Sequence, residues 1–194
     1  MDTSSSTVAD RITALRDEMS KAGIDAYIVP GTDPHQSEYP PEHFHCRHWL
    51  SGFYGSAGTL VVTQDQAGLW TDSRYFIEAE RVLEGTPVEL YKMETPGVPD
   101  YLSFLAEALS PGDLVSFDAR LISVGARENM RERLGPEGIE VHPGSDLLVP
   151  FWDERPSLPA EPVYPQPEEY AGEATAAKLA RVRDAIEESG AEAL

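Results

Sequence analysis

Apolar and polar positions follow two different periods along the chain, and these periods predict helices that alternate with strands. Apolar residues three and four positions apart predict a first helix that begins after Thr7, which has capping-box spacing to Asp10, and ends at Gly23. The β-branched run Thr59–Thr63 and the returning run Ala67–Thr71, joined by turn residues, predict an antiparallel hairpin of buried strands. The fold class that follows is α/β, with a mixed β-sheet flanked by helices.

The remaining segments of the first 150 residues continue this alternation. Short apolar runs predict further strands at Ala26–Val29, Val88–Lys92, Leu114–Phe117 and Ile139–His142. Helices are predicted from Pro99 to Leu109, from Ser123 to Leu134, and as a single turn around Asp146–Val149. One more helix is predicted directly after the hairpin, where Asp72 or Ser73 would be its N-terminal cap.

Proline punctuates the sequence after this region and predicts how the chain is divided. Six prolines lie between positions 150 and 167, a spacing typical of an extended linker. We therefore expect an α/β domain at residues 7–150, a Pro-rich linker at residues 151–171 and the start of a second, truncated domain at residues 172–194.

A sequence repeat supports the second domain. LRDEMSKAGIDAY at residues 15–27 resembles VRDAIEESGAEAL at residues 182–194, with a constant offset of 167 residues. The first copy leads into a predicted strand, whereas the second stops where that strand would begin. We therefore expect the first helix of a second, similar domain, in a chain that is a fragment of a longer protein.

Composition and charge exclude several classes of partner. The chain carries 34 acidic and 15 basic side chains, for a formal charge of −19, which repels nucleic-acid phosphates and anionic membranes. No apolar run approaches the roughly 18 residues that a membrane-spanning helix requires. The single cysteine, Cys46, excludes an internal disulfide and suits a reducing compartment. These features predict a cytoplasmic protein with no nucleic-acid and no membrane partner.

Four sequence blocks occur in an order that is typical of one family. They are DPHQSEY at residues 33–39, SGFYGSAGT at 51–59, LWTDSRYF at 69–76 and FWDERP at 151–156. Together they resemble the N-terminal domain of three-domain Xaa-Pro aminopeptidases (aminopeptidase P). The resemblance implies the creatinase/prolidase N-terminal fold, which is RNase H-like, followed by a second domain of similar fold.

The resemblance also implies an activity for the parent protein. Xaa-Pro aminopeptidases remove an N-terminal residue that precedes proline, and their C-terminal catalytic domain binds two divalent metal ions, usually manganese. The matching region is absent here, so no catalytic residue, metal ligand or cofactor is expected in this chain. The expected role is dimerisation and shaping of the cleft for proline-containing peptides, in a homodimer. A prolidase or creatinase relative, or a catalytically inactive peptide- or histone-binding module of the same fold, are the alternatives.

Five residues in the matching blocks are candidates for a substrate cleft or an interface. They are His35, Glu38, Asp72, Arg74 and Tyr75. The structural alternative is that Asp72 caps a helix, Arg74 forms a surface or interdomain ion pair, and His35 lies in a self-bonded turn begun by Asp33.

Two further patterns resemble metal sites without the features that such sites need. His43, His45 and His48 surround Cys46, but no second, distant ligand pair completes a tetrahedral zinc site. Asp33, Asp72 and Asp118 each follow a predicted strand, as in metal-dependent nucleases, but the chain lacks a basic nucleic-acid surface. The sequence therefore favours a polar loop and strand-end carboxylates without a metal.

Overall fold

The structure is a computed structural model that describes residues 7–191. The chain forms two compact units, the first ending at Leu158 and the second beginning at Pro159. No helix among the described residues is both long enough and apolar enough to cross a membrane.

From residue 7 onward, the first unit contains six strands and five α-helices. The strands are β1 Ala26–Pro30, β2 Thr59–Thr63, β3 Ala67–Thr71, β4 Glu89–Lys92, β5 Leu114–Asp118 and β6 Glu140–Gly144. The helices are α1 Val8–Ala22, α2 Cys46–Ser51, α3 Phe76–Leu83, α4 Tyr101–Ala108 and α5 Val124–Leu134. Short 3-10 helices lie at Glu42–Phe44 and Gly135–Glu137. The predicted turn of helix around residues 146–149 is present only as a hydrogen-bonded turn, in which Trp152 donates to the carbonyl of Leu148.

All six strands form one mixed sheet in the order β4-β3-β2-β1-β5-β6. Strand β2 runs antiparallel to both of its neighbours, whereas the β1–β5, β5–β6 and β3–β4 pairs are parallel. The carboxyl ends of all strands other than β2 therefore meet at one edge of the sheet, which we call the carboxyl edge. The loops after these strands are brought together at that edge, as is the Gly-rich loop that enters β2.

Helices cover both faces of the sheet. Because successive strand residues point to opposite sides, the residues of one strand pack alternately under the helices of each face. Tyr27 and Val29 pack in the core under α1, α2 and α3. Ala26 and Ile28 pack in the core under α4 and α5. The central strand β1 is therefore buried on both faces. The predicted α/β class, with a mixed sheet flanked by helices, is confirmed.

Local signals place most helix ends. Thr7 and Asp10 form a capping box at the start of α1: the backbone N–H of Thr7 donates to Asp10 Oδ2 at 2.9 Å, and Asp10 donates to Thr7 Oγ1 at 3.2 Å. Gly23 ends the helix with a φ of 65°, a left-handed conformation that glycine adopts without strain. Ser123 caps α5 as predicted.

The predicted cap of α3 is wrong. This helix begins at Phe76, its N-terminal flanking residue is Tyr75, and no side chain caps it. Asp72 instead accepts from the backbone N–H of Arg74 at 3.1 Å and from its guanidinium. Because Arg74, two residues away, donates to the Asp72 carboxylate, this carboxylate does not accept from the N–H groups at the start of the helix.

In the second unit, the residues described up to 191 form two helices, α6 Glu168–Ala171 and α7 Thr175–Glu188. An ion pair between Arg181, in the middle of α7, and Glu173 joins this helix to the turn before it at 2.9 Å. No described side chain of α7 is buried. Residues 192–194, where the sequence repeat reaches its predicted strand, lie outside the described residues, and the predicted domain limits stay a prediction.

Candidate functional site

A pocket of about 470 Å³ opens at the carboxyl edge of the sheet. It is assembled from segments that are far apart in sequence: the loop after β1, helix α2, the Gly-rich loop before β2 and the start of α3. The charged and aromatic side chains that line it include Glu38, Tyr39, His48, Tyr54, Tyr75 and Glu78. Its volume lies within the range that is usual for small-ligand sites.

Two of the predicted site residues meet in this pocket. Ser56, from the Gly-rich loop, donates to Glu38 Oε1 at 3.2 Å, and its hydroxyl lies 2.9 Å from the hydroxyl of Tyr75. The hydrogen bond with Ser56 lowers the pKa of Tyr75. Sequence reasoning did not single out Ser56, although it lies in the SGFYGSAGT block.

Asp72 and Arg74 form an ion pair beside the pocket. Arg74 Nε donates to Asp72 Oδ1 at 2.9 Å, and Nη2 donates to Oδ2 at 2.7 Å. This bidentate bond lowers the pKa of Asp72 and raises that of Arg74. The Arg74 side chain is 61% exposed and lies over the ring of Tyr75, with 5.2 Å between its Cζ atom and the ring centre. The pair is therefore held at the surface, at the rim of the pocket.

The loop after β1 is fixed by Asp33. This buried carboxylate accepts from the backbone N–H groups of His35 at 2.8 Å and Ser37 at 3.0 Å. Gln36 adopts a left-handed φ of 59° and its side chain donates to the carbonyl of Leu121 at 3.0 Å. The resulting tight turn leaves His35 exposed and outside the pocket, while Glu38, which follows it, reaches the pocket wall.

A buried arginine supports the pocket from behind, and sequence reasoning missed it. Arg47 is 1% exposed. Its Nη1 donates to the carbonyl of Gly58 at 2.9 Å, and its Nη2 donates to the carbonyl of Gly55 and to His48 Nε2. Within the described chain no carboxylate pairs with it, and burial lowers its pKa to about 10. The guanidinium thus fixes the Gly-rich loop through backbone carbonyls.

Glycine makes this arrangement possible. A Cβ atom on Gly31 would lie 2.8 Å from Arg47 Cζ, and one on Gly58 would lie 2.8 Å from Nη1. These distances are shorter than side-chain atoms tolerate. Glycines that cluster around one arginine are the sequence signal that could have predicted the burial of Arg47. These glycines are far apart along the chain, so the cluster cannot be recognised from the sequence.

A second set of charges lies at the same edge, away from the pocket. Asp146 accepts from Arg155 and, at 3.1 Å, from Arg120, which also pairs with Asp118 at 2.6 Å. Arg155 Nη2 donates to Cys46 Sγ at 3.3 Å. Burial raises the pKa of the Cys46 thiol to about 12, so it stays protonated at neutral pH.

This network holds the FWDERP block against the rest of the first unit. The indole rings of Trp49 and Trp152 stack with centroids 4.7 Å apart. His43 Nδ1 bonds to the carbonyl of Pro156 at 2.8 Å. The first residues of the predicted linker therefore pack on the domain rather than leaving it.

Metal-ligand side chains are not gathered into a site within residues 7–191, where no group of three or more His, Cys, Asp or Glu residues is arranged to hold a metal ion. His43 is bonded to Pro156, His45 to the carbonyl of Pro40 at 2.9 Å, and Cys46 to Arg155. The HxHCxH pattern is thus part of the packing of α2 and the segment before it.

Comparison with known proteins finds family matches and relatives over nearly the whole chain. Residues 11–149 match the creatinase/prolidase N-terminal domain family, and residues 154–194 match a second family model with the same description. Aminopeptidase P2 of Arabidopsis thaliana is 38% identical over 192 residues, which are 96% of this chain and 27% of that protein. Xaa-Pro aminopeptidase 2 of Rattus norvegicus is 39% identical over 89% of this chain and 26% of its own length.

A solved structure agrees. The X-prolyl aminopeptidase of Caenorhabditis elegans, described as a cytosolic enzyme with a di-nuclear active site, superposes with a TM-score of 0.85 at 31% identity. The match covers 95% of this chain and 32% of that one. The chain thus spans about a quarter of the length of the curated relatives it matches, 27% and 26%. The resemblance to the N-terminal domain of Xaa-Pro aminopeptidases is confirmed, and the chain belongs to the creatinase/prolidase N-terminal domain family.

Proposed function

We propose that this chain is the N-terminal, non-catalytic part of a metal-dependent Xaa-Pro aminopeptidase, an enzyme that removes an N-terminal residue preceding proline. The observation that carries the proposal is the match to the X-prolyl aminopeptidase of C. elegans, which extends over 95% of this chain but only 32% of that enzyme. Hydrolysis would then take place in a downstream domain that holds two divalent metal ions, for which we propose manganese. When bound, such ions activate a water and polarise the peptide carbonyl.

The carboxyl edge of the sheet would form one wall of the peptide cleft or a homodimer interface. Glu38 and Tyr75 lie in the pocket, the Asp72–Arg74 pair stands at its rim, and His35 is exposed on the adjoining turn. The Arg74 side chain is 61% exposed, so it would remain accessible to a peptide or to another domain. A cleft bounded in this way admits a short, free N-terminus and excludes folded chains.

We propose a cytoplasmic location and proline-containing peptides as the substrates. The formal charge of −19 argues against nucleic-acid and anionic membrane partners. The C. elegans relative is itself described as cytosolic. The names of the relatives favour a peptidase over the histone-binding alternative.

Hydrolysis of the tripeptide Arg-Pro-Pro in the presence of manganese tests this proposal. The 194-residue chain and the gene-length polypeptide are compared side by side. We expect activity in the longer polypeptide alone. Activity in neither, together with retention of a basic histone peptide at moderate salt, would favour the binding module. Activity in the 194-residue chain itself would contradict the assignment.

The role of the rim is tested by Arg74→Ala in the gene-length enzyme. We expect kcat/KM to fall by about tenfold, as for the loss of about 1.4 kcal/mol of transition-state binding. Lys21→Ala is the matched control, because Lys21 is also in an exposed ion pair, with Glu18 at 2.6 Å, but lies at the end of α1. Unchanged activity with a lowered melting temperature in Arg74→Ala would make the Asp72–Arg74 pair purely structural.

A further inference from the structure

The pocket at the carboxyl edge contains two carboxylates, Glu38 and Glu78. The charge of Arg74 acts on Glu38 and that of Arg47 acts on Glu78, but neither arginine forms an ion pair with them. Glu38 accepts one hydrogen bond, from Ser56, and neither Glu38 nor Glu78 is in an ion pair with any described residue. Both arginines make their hydrogen bonds to other groups. Arg74 is bound in bidentate fashion to Asp72, and the terminal nitrogens of Arg47 donate to backbone carbonyls and to His48.

His48, which lines the pocket, does not supply positive charge to it. Burial, and then the charge of Arg47, lower the pKa of His48 to about 4, so its imidazole is neutral at physiological pH. His48 Nε2 accepts a hydrogen bond from Arg47 at 3.0 Å, as a neutral ring nitrogen does. The His48 ring also lies 5.0 Å from the ring of Tyr54 and so forms part of the aromatic wall.

Aromatic rings line the rest of the pocket. Tyr39 is 80% exposed and Tyr54 is 69% exposed, which is unusual for side chains of this size. Tyr75 completes the set and is fixed in place through Ser56 and by an edge-on contact with Phe53, with centroids 5.7 Å apart. The faces of tyrosine rings attract organic cations, and their edges pack against methylene groups.

We infer that this pocket binds an organic cation carried by a peptide, either the guanidinium or ammonium group of a basic side chain or the ammonium group of the N-terminus. Glu38 and Glu78 would accept its N–H groups, and Tyr39, Tyr54 and Tyr75 would enclose its apolar stem. The inference rests on the proposed function only in taking the carrier of the cation to be a peptide.

Other ligand classes fit the pocket less well. An anion would face two carboxylates that form no ion pair with any described residue. A hard divalent metal ion takes six or more oxygen ligands, and the pocket offers two carboxylates beside neutral aromatic rings. A purely apolar ligand would leave the charge of both carboxylates uncompensated.

Titration calorimetry of the 194-residue chain with four tripeptides tests the inference. The peptides are Arg-Pro-Pro, N-acetyl-Arg-Pro-Pro, citrulline-Pro-Pro and N-acetyl-citrulline-Pro-Pro, because citrulline is a neutral analogue of arginine of similar shape. We expect the peptides that carry the recognised cation to bind about tenfold more tightly than N-acetyl-citrulline-Pro-Pro, which carries no cation; tenfold is the usual effect of one charge-assisted hydrogen bond. The acetylated arginine peptide identifies a side-chain cation, and the free citrulline peptide identifies the N-terminus.

Two charge-removing variants locate the binding. Glu38→Gln and Glu78→Gln should each weaken binding of the peptides that carry the recognised cation about tenfold, and leave binding of N-acetyl-citrulline-Pro-Pro unchanged. Glu84→Gln is the matched control, because Glu84 follows the end of α3, is exposed and lies outside the pocket. An equal loss in Glu84→Gln would reveal unspecific attraction to the acidic surface and would overturn the inference. So would equal affinity for all four peptides, or no binding of any of them at millimolar concentration.

The two proposals can fail separately. If the gene-length enzyme does not hydrolyse Arg-Pro-Pro but the 194-residue chain binds the charged peptides through Glu38 and Glu78, the proposed function is wrong and the cation pocket stands. If hydrolysis proceeds and binding to the pocket shows no dependence on charge, the proposed function stands and the cation pocket is wrong.

Discussion

Replacing Asp146 by asparagine tests how much the ion pairs between the FWDERP block and the rest of the first unit contribute to the free energy of unfolding. The side chains of Arg155 and Asp146 are only 9% and 7% exposed, so each has given up most of its hydration. Removing one partner of a buried ion pair leaves the other charge unpaired in the interior, which typically costs about 3–5 kcal/mol. Asparagine keeps the size of the side chain and its bond from the backbone N–H of Leu148, which donates to Oδ1 at 3.0 Å.

The expected loss lies near the lower end of that range, at about 3 kcal/mol, because only one of the two arginines is buried. Arg120 is 50% exposed and retains Asp118, so it can turn to water. Urea unfolding followed by tryptophan fluorescence measures the loss, since all three tryptophans belong to the first unit. With a slope of roughly 2 kcal/mol per molar urea, the midpoint should fall by about 1.5 M.

Asp72→Asn is the control, because Asp72 and Arg74 form an ion pair of the same type at the surface, where the side chains are 29% and 61% exposed. An exposed pair contributes less than about 1 kcal/mol. A loss in Asp146→Asn no larger than in Asp72→Asn would refute the reasoning that burial sets the cost. Adding Arg155→Met to Asp146→Asn should restore part of the stability, since it removes the unpaired buried charge.

Two further predictions concern the wall of the pocket. His48 should titrate by NMR with a midpoint near its pKa of about 4. In the unfolded chain the pKa returns to about 6.5. The stability that the neutral ring contributes is therefore complete above pH 6.5 and is lost as the pH falls toward 4. A midpoint near pH 6.5 would show that the ring is not desolvated. Gly58→Ala should destabilise the domain by about 1–3 kcal/mol, because its φ is 154° and a Cβ would lie 2.8 Å from Arg47 Nη1 and 2.9 Å from the carbonyl oxygen of Trp70. Gly125→Ala in α5, where no atom lies within 4 Å, should instead gain about 0.5–1 kcal/mol, and equal effects of the two changes in chemical denaturation would contradict both estimates.

Elements whose signals are local were predictable from the sequence. The hairpin has the predicted limits, Thr59–Thr63 and Ala67–Thr71, because a β-branched run and turn residues specify it within a few positions. The capping box at Thr7 and Asp10 is equally local, as is the glycine that follows α1. The predicted antiparallel pairing of the hairpin is confirmed as well.

The interior of the site was not predictable, because it depends on contacts between distant segments. An arginine on a short helix is expected to face water, yet Arg47 is buried where glycines from two separate loops leave room for its guanidinium. The cap at Asp72 failed for a related reason, since capping rules do not include a competing arginine. Of the predicted site residues, Glu38 and Tyr75 share the pocket, while the role of all five stays a prediction.

The packing of the FWDERP block has a consequence for how this module can be exchanged between proteins. The first family match ends at residue 149 and the second begins at residue 154, whereas the first compact unit continues to Leu158. A chain cut at the family boundary would expose the indole face of Trp49 and deprive Asp146 of Arg155. The hexapeptide therefore belongs to the module as an integral part, and a domain grafted between relatives without it should aggregate even though every strand of its sheet is present.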